Sequence, residues 1–495
     1  MQLLTIKNLH FKYKNSAIPI FENLNLEFVK GWSCIVGSNG SGKSTLLKLI
    51  SKEIKSENGV IKGNHLTHYC TQGTEYPVKN LEDFMLTFSS KSFKIRDMLN
   101  IKDSWTYQWD NLSHGERKRL QLAVALFEEP DVLLVDEPTN HLDNKSRNIV
   151  SNALKNFTGI GILVSHDREL LNDLSQSTII LNNKNIISFK TSYSNAMSEY
   201  KKDINFLEKT QIKQNDELKK LKKSLQIQQE KVSQSKKRFS KKNLDNNDSD
   251  TKNKINLARL TGKDKNDGQV ITKLQSKQKQ LLSNTIKTNK IYKLGIEFHA
   301  TKSRNIFPIA IENNILALSE TKKLSYKTTT INEYDKIGIV GENGSGKSSF
   351  INYILSTIDV KDKYLYIPQE ITDAQGKKLF DEINNLPNNV KGEIYTIIRK
   401  LSSDPIKLQD SFIPSPGEIR KLMIAKGLLQ SPSLIILDEP TNHMDLDSII
   451  SLESALKEYD GTIMIISHDK TFLDTVVTDI WEFKKEGEDL YTIDY

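Results

Sequence analysis

Cysteine is nearly absent: the 495 residues contain two, Cys34 and Cys70, far apart and in no Cys-x-x-Cys spacing. That excludes a cysteine zinc pattern and a disulfide framework, and it suits a reducing compartment. Long apolar runs are lacking too. No stretch approaches the roughly 18 consecutive apolar residues that a membrane span needs. The opening MQLLTIKNLHFKY has no basic segment followed by an apolar one, so no secretory signal is expected. The expected location is the cytoplasm, with no stable membrane partner.

Hydrophobic residues make up 37% and charged residues 27%, which is enough for soluble domains with real cores. The net charge of +8 is unevenly placed. Residues 201–293 hold 25 Lys or Arg against 10 Asp or Glu, a net of +15, and the remaining 402 residues carry a net of −7. One segment makes the chain basic, and that segment is the candidate contact for a polyanion.

The chain repeats itself. GSNGSGKST at 37–45 recurs as GENGSGKSS at 341–349, an offset of 304. DEPTNHLD at 136–143 recurs as DEPTNHMD at 438–445, and VSHD ending at Asp167 recurs as ISHD ending at Asp469, each at an offset of 302. Three motifs in one order at nearly one offset indicate a duplicated domain. Each copy reads as α/β. Short apolar runs precede the glycine loop, the DEP motif and the SHD motif, and helical patterns alternate with them. Such strands form a parallel sheet covered on both faces, with ligands expected at its carboxyl edge.

Between the copies the pattern changes. Steps of three and four pick out Ile204, Leu207, Gln211, Gln214, Leu218, Leu221, Leu225, Gln228, Val232, Ser235 and Phe239, a heptad seam with polar interruptions. A polar, glycine-containing stretch over roughly 241–270 follows. A weaker seam then runs through Ile271, Leu274, Gln278, Leu281 and Tyr292. This pattern predicts an antiparallel helical hairpin with an irregular tip. The predicted domains are residues 1–196, 197–300 and 301–495.

The glycine loops explain the chemistry. A loop of this composition before a helix turns backbone N–H groups toward phosphates, and the helix N-terminus adds a favourable field. The first loop comprises Gly37, Ser38, Asn39, Gly40, Ser41, Gly42, Lys43, Ser44 and Thr45; the second comprises Gly341, Glu342, Asn343, Gly344, Ser345, Gly346, Lys347, Ser348 and Ser349. Lys43 and Lys347 are expected at the terminal phosphates of ATP, and Ser44 and Ser348 on Mg²⁺. Asp136 and Asp438 stand where the second Mg²⁺ contact belongs. Glu137 and Glu439 follow them and are expected to orient or deprotonate the attacking water. His166 and His468, each after a buried-type strand, are expected at the γ-phosphate. A single histidine there would more often be a packed core residue; the matched pair favours the functional reading.

With DEPTNHLD downstream of LSHGE, the chain resembles the ABC ATPase superfamily, and the NH of DEPTNH resembles its ABC-F branch. Those are soluble twin-ATPase proteins, many of which act on ribosomes. The resemblance covers essentially the whole chain and implies two P-loop ABC-type domains in tandem, joined by the hairpin. It implies that LSHGE at 112–116 and PSPGE at 414–418 are signature motifs, that Gln72 and Gln369 are metal-side Q-loop residues, and that Asn140–Asp143 and Asn442–Asp445 are D-loops. It also implies that each ATP lies between one copy's glycine loop and the other's signature. Ser415, Gly417 and Glu418 then complete the first site, and Ser113, Gly115 and Glu116 the second. Tyr13 matches the adenine-stacking aromatic, whereas the second copy shows ILALSETKK in that region with no aromatic. His114 replaces a usual glycine, and Pro414 and Pro416 flank Ser415.

The resemblance further implies a hairpin that enters the exit-tRNA site of the bacterial ribosome and meets 23S rRNA and P-site tRNA. The long linker, the lack of room for an inserted arm and the short C-terminus resemble the antibiotic-resistance members that act on lincosamides, pleuromutilins and streptogramin A. The expected function is ribosome protection by a monomer whose two domains pair intramolecularly, with the active tip residues between Leu244 and Gly268. The least polar patch there is Ile255, Leu257, Arg259 and Leu260. A housekeeping translation factor of the same branch is the nearest alternative. The ATPase subunit of a drug exporter is another, weakened by the missing span and by the basic hairpin. No DNA partner is expected, because zinc-type cysteines and inserted DNA-binding modules are missing. A charged helical segment that merely tethers two ATPases is the plainer reading of the linker.

Overall fold

The computed structural model describes residues 3–14, 18–63, 65–182, 185–238, 263–283, 306–358, 364–403, 405, 408, 414–487 and 489–495. Contacts divide the chain into one unit formed by Met1–Ala196 with Tyr292–Tyr495, and a second formed by Met197–Ile291. Among the described residues no helix is long and apolar enough to cross a membrane.

In the first copy, the fully buried runs VLLVD and IGILV become neighbouring central strands because neither face can tolerate water. The six-stranded sheet runs Thr67–Cys70, Val132–Asp136, Ile160–Val164, Gly31–Gly37, Ser177–Asn182, Asn185–Phe189. All its pairings are parallel except the last. The second copy repeats this order through Tyr364–Ile367, Leu434–Asp438, Thr462–Ile466, Lys336–Gly341, Asp479–Lys485 and Leu490–Asp494. In both copies the glycine-loop strand lies beside the strand that leads into His166 or His468, and that strand lies beside the one ending in Asp136 or Asp438. The carboxyl edge therefore gathers glycine loop, acid pair and histidine at one place.

Each copy also carries antiparallel strands that the motif pattern did not predict. Leu3–Phe11 pairs with Phe21–Val29 and with Asn58–Lys62 in a separate three-stranded sheet. In the second copy, Lys323–Tyr326 and Asn314–Ala317 join the main sheet beyond Leu490–Asp494, giving eight strands. Ile309–Ile311 and Thr329–Ile331 form a two-stranded ribbon there. Leu4, Ile6 and Phe28 of the first antiparallel sheet share a core with Leu46, Leu47, Leu49 and Ile50 of the glycine-loop helix Lys43–Ile50. That packing fixes the helix N-terminus against the sheet edge.

The second unit holds helices Tyr193–Arg238 and Lys263–Ser283, the first of which begins in the ATPase unit. At 46 residues the longer helix extends about 70 Å at 1.5 Å per residue. Leu218 and Leu225, one heptad apart, are buried, and Ile204, Leu207, Gln211, Gln214, Leu221, Gln228 and Val232 are partly buried between exposed neighbours. Ile271, Leu274, Gln278 and Leu281 do the same in the shorter helix. The helix starts at Lys263, within the stretch predicted to be irregular up to about 270, and it includes Gly268. The roughly 1 kcal/mol helix penalty of one glycine is small against cooperative propagation over 21 residues. Tyr292, Phe239 and the tip patch Ile255, Leu257, Arg259 and Leu260 lie outside the described residues.

Candidate functional site: two phosphate cradles facing the opposite copy

In each cradle the last loop glycine is fixed by backbone geometry. Gly42 and Gly346 sit at φ 97° and 96°, in the left-handed region that disfavours side chains. A Cβ on Gly42 would lie 2.5 Å from Ile20 Cγ2 and 2.9 Å from Phe21; one on Gly346 would lie 2.6 Å from Leu318 Cδ2. Each helix start thus carries free N–H groups where an anion binds. Lys43 Nζ donates to the carbonyls of Gly37 (2.8 Å) and Ser38 (3.1 Å). Lys347 Nζ does the same to Gly341 (2.7 Å) and Glu342 (2.9 Å). Burial lowers both lysine pKa values, against the opposing pull of nearby carboxylates, Glu137 foremost for Lys43 and Glu439 foremost for Lys347.

The acids stand across from these lysines. Asp136 Oδ2 accepts from the Tyr69 hydroxyl at 3.1 Å. Asp438 Oδ2 accepts from Ser348 Oγ at 2.6 Å, which holds the two expected metal-side groups of the second copy together. The Oδ1 atoms of Asp136 and Asp438 are buried without a hydrogen-bond partner, as are Ser41 Oγ, Ser345 Oγ and the Oε1 atoms of Glu137 and Glu439. Unpartnered buried carboxylate oxygens are costly. Beside a glycine cradle, they fit a magnesium–nucleotide complex.

Glu137 and Glu439 adopt φ 45° and 47°, strained for a non-glycine residue and typical of functional positions. Burial pushes Glu137 above the usual carboxylate range and Glu439 up to about 7. Each faces its histidine: His166 Nε2 lies 3.4 Å from Glu137 Oε1 and His468 Nε2 lies 3.6 Å from Glu439 Oε1. Burial, then the glycine-loop lysine, holds both rings neutral, with pKa values about 3. A glutamate of raised basicity beside a neutral imidazole is suited to accept a proton near neutral pH.

The two copies meet at these sites. A cavity of about 560 Å³ is lined by Asn39, Gly40, Gly42, Lys43, Ser44, Thr45, Gln72, Asp136, Glu137, Asn140 and His166 of the first copy, and by Ser415, Pro416, Gly417, Glu418, Thr441, His443 and Met444 of the second. Asn39 N donates to Asp445 Oδ2 at 2.9 Å, and Asn39 Nδ2 to the His443 carbonyl at 3.1 Å. A Cβ on Gly417 would lie 2.3 Å from His443 O, so this glycine allows signature and D-loop to touch. The second cavity, about 240 Å³, is lined by Leu318, Asn343, Gly344, Gly346, Lys347, Ser348, Ser349, Gln369, Asp438, Glu439 and Ile466. Asn343 contacts the first copy's D-loop, with N 3.5 Å from Asp143 Oδ2 and Nδ2 3.2 Å from His141 O. His468 Nε2 lies 3.2 Å from Asn343 Oδ1. Ser113, Gly115 and Glu116 do not line this second cavity.

Ser113 and Glu116 instead form a capping box at the start of helix His114–Phe127, as do Ser415 and Glu418 at the start of Pro416–Leu428. The Ser-x-x-Glu spacing shared by LSHGE and PSPGE encodes that cap. Tyr13 is exposed, edge-on to Phe11, with its hydroxyl 3.2 Å from Thr45 Oγ1. Gly37, Ser38, Ser41, Gly341, Glu342 and Ser345 shape the loops from outside the two cavities.

Several neighbours of the site were not legible as motif residues. Lys118 donates to Thr71 O and Asp136 O, while Arg420, its counterpart at an offset of 302, donates to Gln369 O and Glu439 O. Each ties the Q-loop to the acid-bearing strand. Leu318 stands over the second glycine loop. A column of rings also crosses between the copies: His114 to His141 at 5.1 Å, then His141 to His443 at 5.1 Å. His141 and His443 are repeat equivalents, whereas the equivalent of His114 is Pro416, so the column is one-sided.

Burial lowers the pKa of all three histidines, with His114 and His443 at about 4. A depressed histidine stabilises the folded state above its unfolded value of 6.5, and that contribution is lost as pH falls from 6.5 toward 4. The melting temperature is therefore expected to fall on acidification from pH 7 to pH 5, and to fall less in His114→Gly, which removes one ring. Thermal melts of both proteins at the two pH values check this; an identical drop would count against it.

The family model described as ABC transporter matches residues 21–140 and 324–442, spanning the glycine loop through the DEPTN segment of each copy. The chain is 28% identical over 523 residues to the ATP-binding protein Uup of Buchnera aphidicola subsp. Schizaphis graminum, covering 98% of this chain and 82% of that protein. It is 27% identical over 494 residues to the ribosome protection protein VmlR of Bacillus subtilis, covering 96% of this chain and 85% of VmlR. Among solved structures, an RNase-L Inhibitor shares the fold with a TM-score of 0.63 at 18% identity, covering 98% of this chain and 90% of that one. Tandem cradles, paired acids and relatives matched over most of their length agree: the chain is an ATP hydrolase built from two ABC-type nucleotide-binding domains in tandem.

Proposed function

We propose that this protein protects the bacterial ribosome from antibiotics at the peptidyl-transferase centre, using ATP to close its two copies and hydrolysis to release itself. The observation that carries the reading is the +15 charge of residues 201–293 beside an otherwise acidic ATPase, in a chain similar over 96% of its length to a ribosome protection protein. Lysines spread along exposed helix faces suit A-form RNA, read by shape and phosphate rather than by sequence.

In this reading Ser44, Gln72 and Asp136 hold Mg²⁺ in the first site, and Ser348, Gln369 and Asp438 hold it in the second. The metal, when bound, neutralises charge on the terminal phosphates. Lys43 and Lys347 leave their loop carbonyls for phosphate oxygens. Ser415 and Gly417 close over the first nucleotide, and Ser113 and Gly115 over the second. Glu137 and Glu439 orient the attacking water and take its proton, beside His166 and His468. The linker reaches 23S rRNA and P-site tRNA from the exit-tRNA site, with the tip between Leu244 and Gly268 acting on the drug site. The protein works in the cytoplasm as a monomer.

A housekeeping translation factor is the second reading, favoured by the equal similarity to Uup, whose name carries no drug. Both readings require ribosome binding. Pelleting purified bacterial ribosomes with the protein and ATP is expected to bring the protein down, with less recovered in ADP. Recovery with membranes instead of ribosomes would contradict both readings and favour drug export.

A further inference from the structure

The two ATP sites are chemically unequal at one place outside the motifs. Arg147 lies in the helix Asn144–Lys155 that follows the first D-loop, and its side chain is 18% exposed. Its Nε donates to Leu142 O of its own D-loop at 3.0 Å, and its Nη1 lies 3.6 Å from Asp167 Oδ2, next to His166. The same Nη1 donates to the backbone carbonyl of His468, in the other copy, at 3.0 Å. One guanidinium thus joins the first D-loop, the segment after the first site's histidine and the second site's histidine. The next arginine in this seam, Arg168, pairs with Glu453 and lies 3.6 Å from Asp469.

None of this is mirrored. At the repeat offset of 302, Arg147 corresponds to Ile449, Arg168 to Lys470 and Glu453 to Ser151. Ile449 is buried in its own copy's core and has no group that could donate to the His166 carbonyl. Among the described residues, every ion pair between the copies has its cation on the first copy and its anion on the second: Lys145 with Glu342, and Arg168 with Glu453 and Asp469.

We propose that Arg147 is a positioning residue through which the first copy sets the geometry of hydrolysis in the second copy's site, with no counterpart acting on the first site. The donor fixes the His468 backbone, and His468 in turn faces both Glu439 Oε1 and Asn343 of the phosphate loop. The planar fork reaches two loop carbonyls and a carboxylate at once, a geometry that a lysine ammonium reproduces poorly. Small displacement of a positioned group costs turnover more than binding. The coupling is therefore directional: the state of the first D-loop is transmitted to the second site.

The proposal rests on Glu137 and Glu439 being the hydrolytic glutamates, so the test isolates one site at a time in the full chain. Arg147→Ala is introduced into Glu137→Gln, which leaves the second site active, and into Glu439→Gln, which leaves the first. With the second site active, kcat is expected to fall about tenfold to a hundredfold, with KM for ATP within about twofold. With the first site active, kcat is expected to change by less than about twofold. Arg147→Lys is expected to give a smaller loss with the same site preference. A merely structural arginine at the seam would weaken both backgrounds alike. Equal losses with Arg147→Lys, which keeps charge and most of the volume, or no loss at the second site with Arg147→Ala, would overturn the proposal. Residual turnover in Glu137→Gln/Glu439→Gln close to wild type would instead fault the assignment of the glutamates.

Discussion

Changing both Glu137 and Glu439 to Gln is expected to lower ATP turnover by about 10²- to 10⁴-fold, the range of a lost general base, while ATP binding persists. The substitution is nearly isosteric. Glu137 Oε2 accepts from His166 N at 3.2 Å, and a glutamine oxygen can accept the same bond. It also removes two buried charges whose burial already pushes their pKa values up, so the fold has no reason to weaken. In the proposed cycle, protein that binds ATP but cannot cleave it stays closed. It accumulates on ribosomes, and the fraction pelleting with them in ATP rises well above that of the wild type. Equal occupancy of the two proteins would contradict release by hydrolysis.

The second large effect concerns the linker. Lys219, Lys220, Lys222 and Lys223 are exposed on the long helix, between the seam positions Leu218, Leu221 and Leu225. Changing all four to Gln keeps helix propensity nearly constant and leaves the seam untouched. Each phosphate contact on RNA contributes roughly 0.7 to 0.9 to the slope of log K against log salt. If the four lysines meet rRNA or tRNA, the slope drops by about 3 and affinity falls at least about tenfold at fixed moderate salt. A helix that only tethers the copies predicts unchanged ribosome binding. Binding titrations at several salt concentrations separate the two.

Much of the fold was legible because its signals are local. Glycines with φ near 97° announce themselves as GSGKS, and buried parallel strands as unbroken apolar runs such as VLLVD. The coiled seam was legible for the same reason: its three-and-four spacing needs only one helix, and from Ile204 to Val232 and from Ile271 to Leu281 every predicted seam position is buried or partly buried. What could not be read depends on contacts between distant segments. The antiparallel strands Leu3–Phe11 and Phe21–Val29 are amphipathic, with burial patterns broken by bulges and by Asn8 and Asn23 at positive φ. The ring column from His114 to His443 and the reach of Arg147 to His468 join the two copies, and nothing at position 147 distinguishes a seam arginine from a solvated one. The signature glutamates had a local meaning that was open to inspection. Ser-x-x-Glu before an apolar helix is a capping box, and both Glu116 and Glu418 are engaged in one.

The unequal sites also follow from sequence differences with a physical content. The first cavity is lined by both copies and the second by one. Both glycine loops carry an aliphatic cover, Ile20 in the first and Leu318 in the second, but the first adds Tyr13 with its hydroxyl at Thr45. Together with the one-sided arginines, these differences give the two nucleotides different surroundings.

The most direct test of the central claim is bacterial cell-free translation inhibited in parallel by a lincosamide and by a pleuromutilin, with and without the purified protein and ATP. Ribosome protection predicts that synthesis is restored in the presence of the protein and not by the Glu137→Gln/Glu439→Gln variant. No restoration with either drug, from protein that demonstrably pellets with ribosomes, would contradict protection at the peptidyl-transferase centre and leave the drug-independent translation factor as the function.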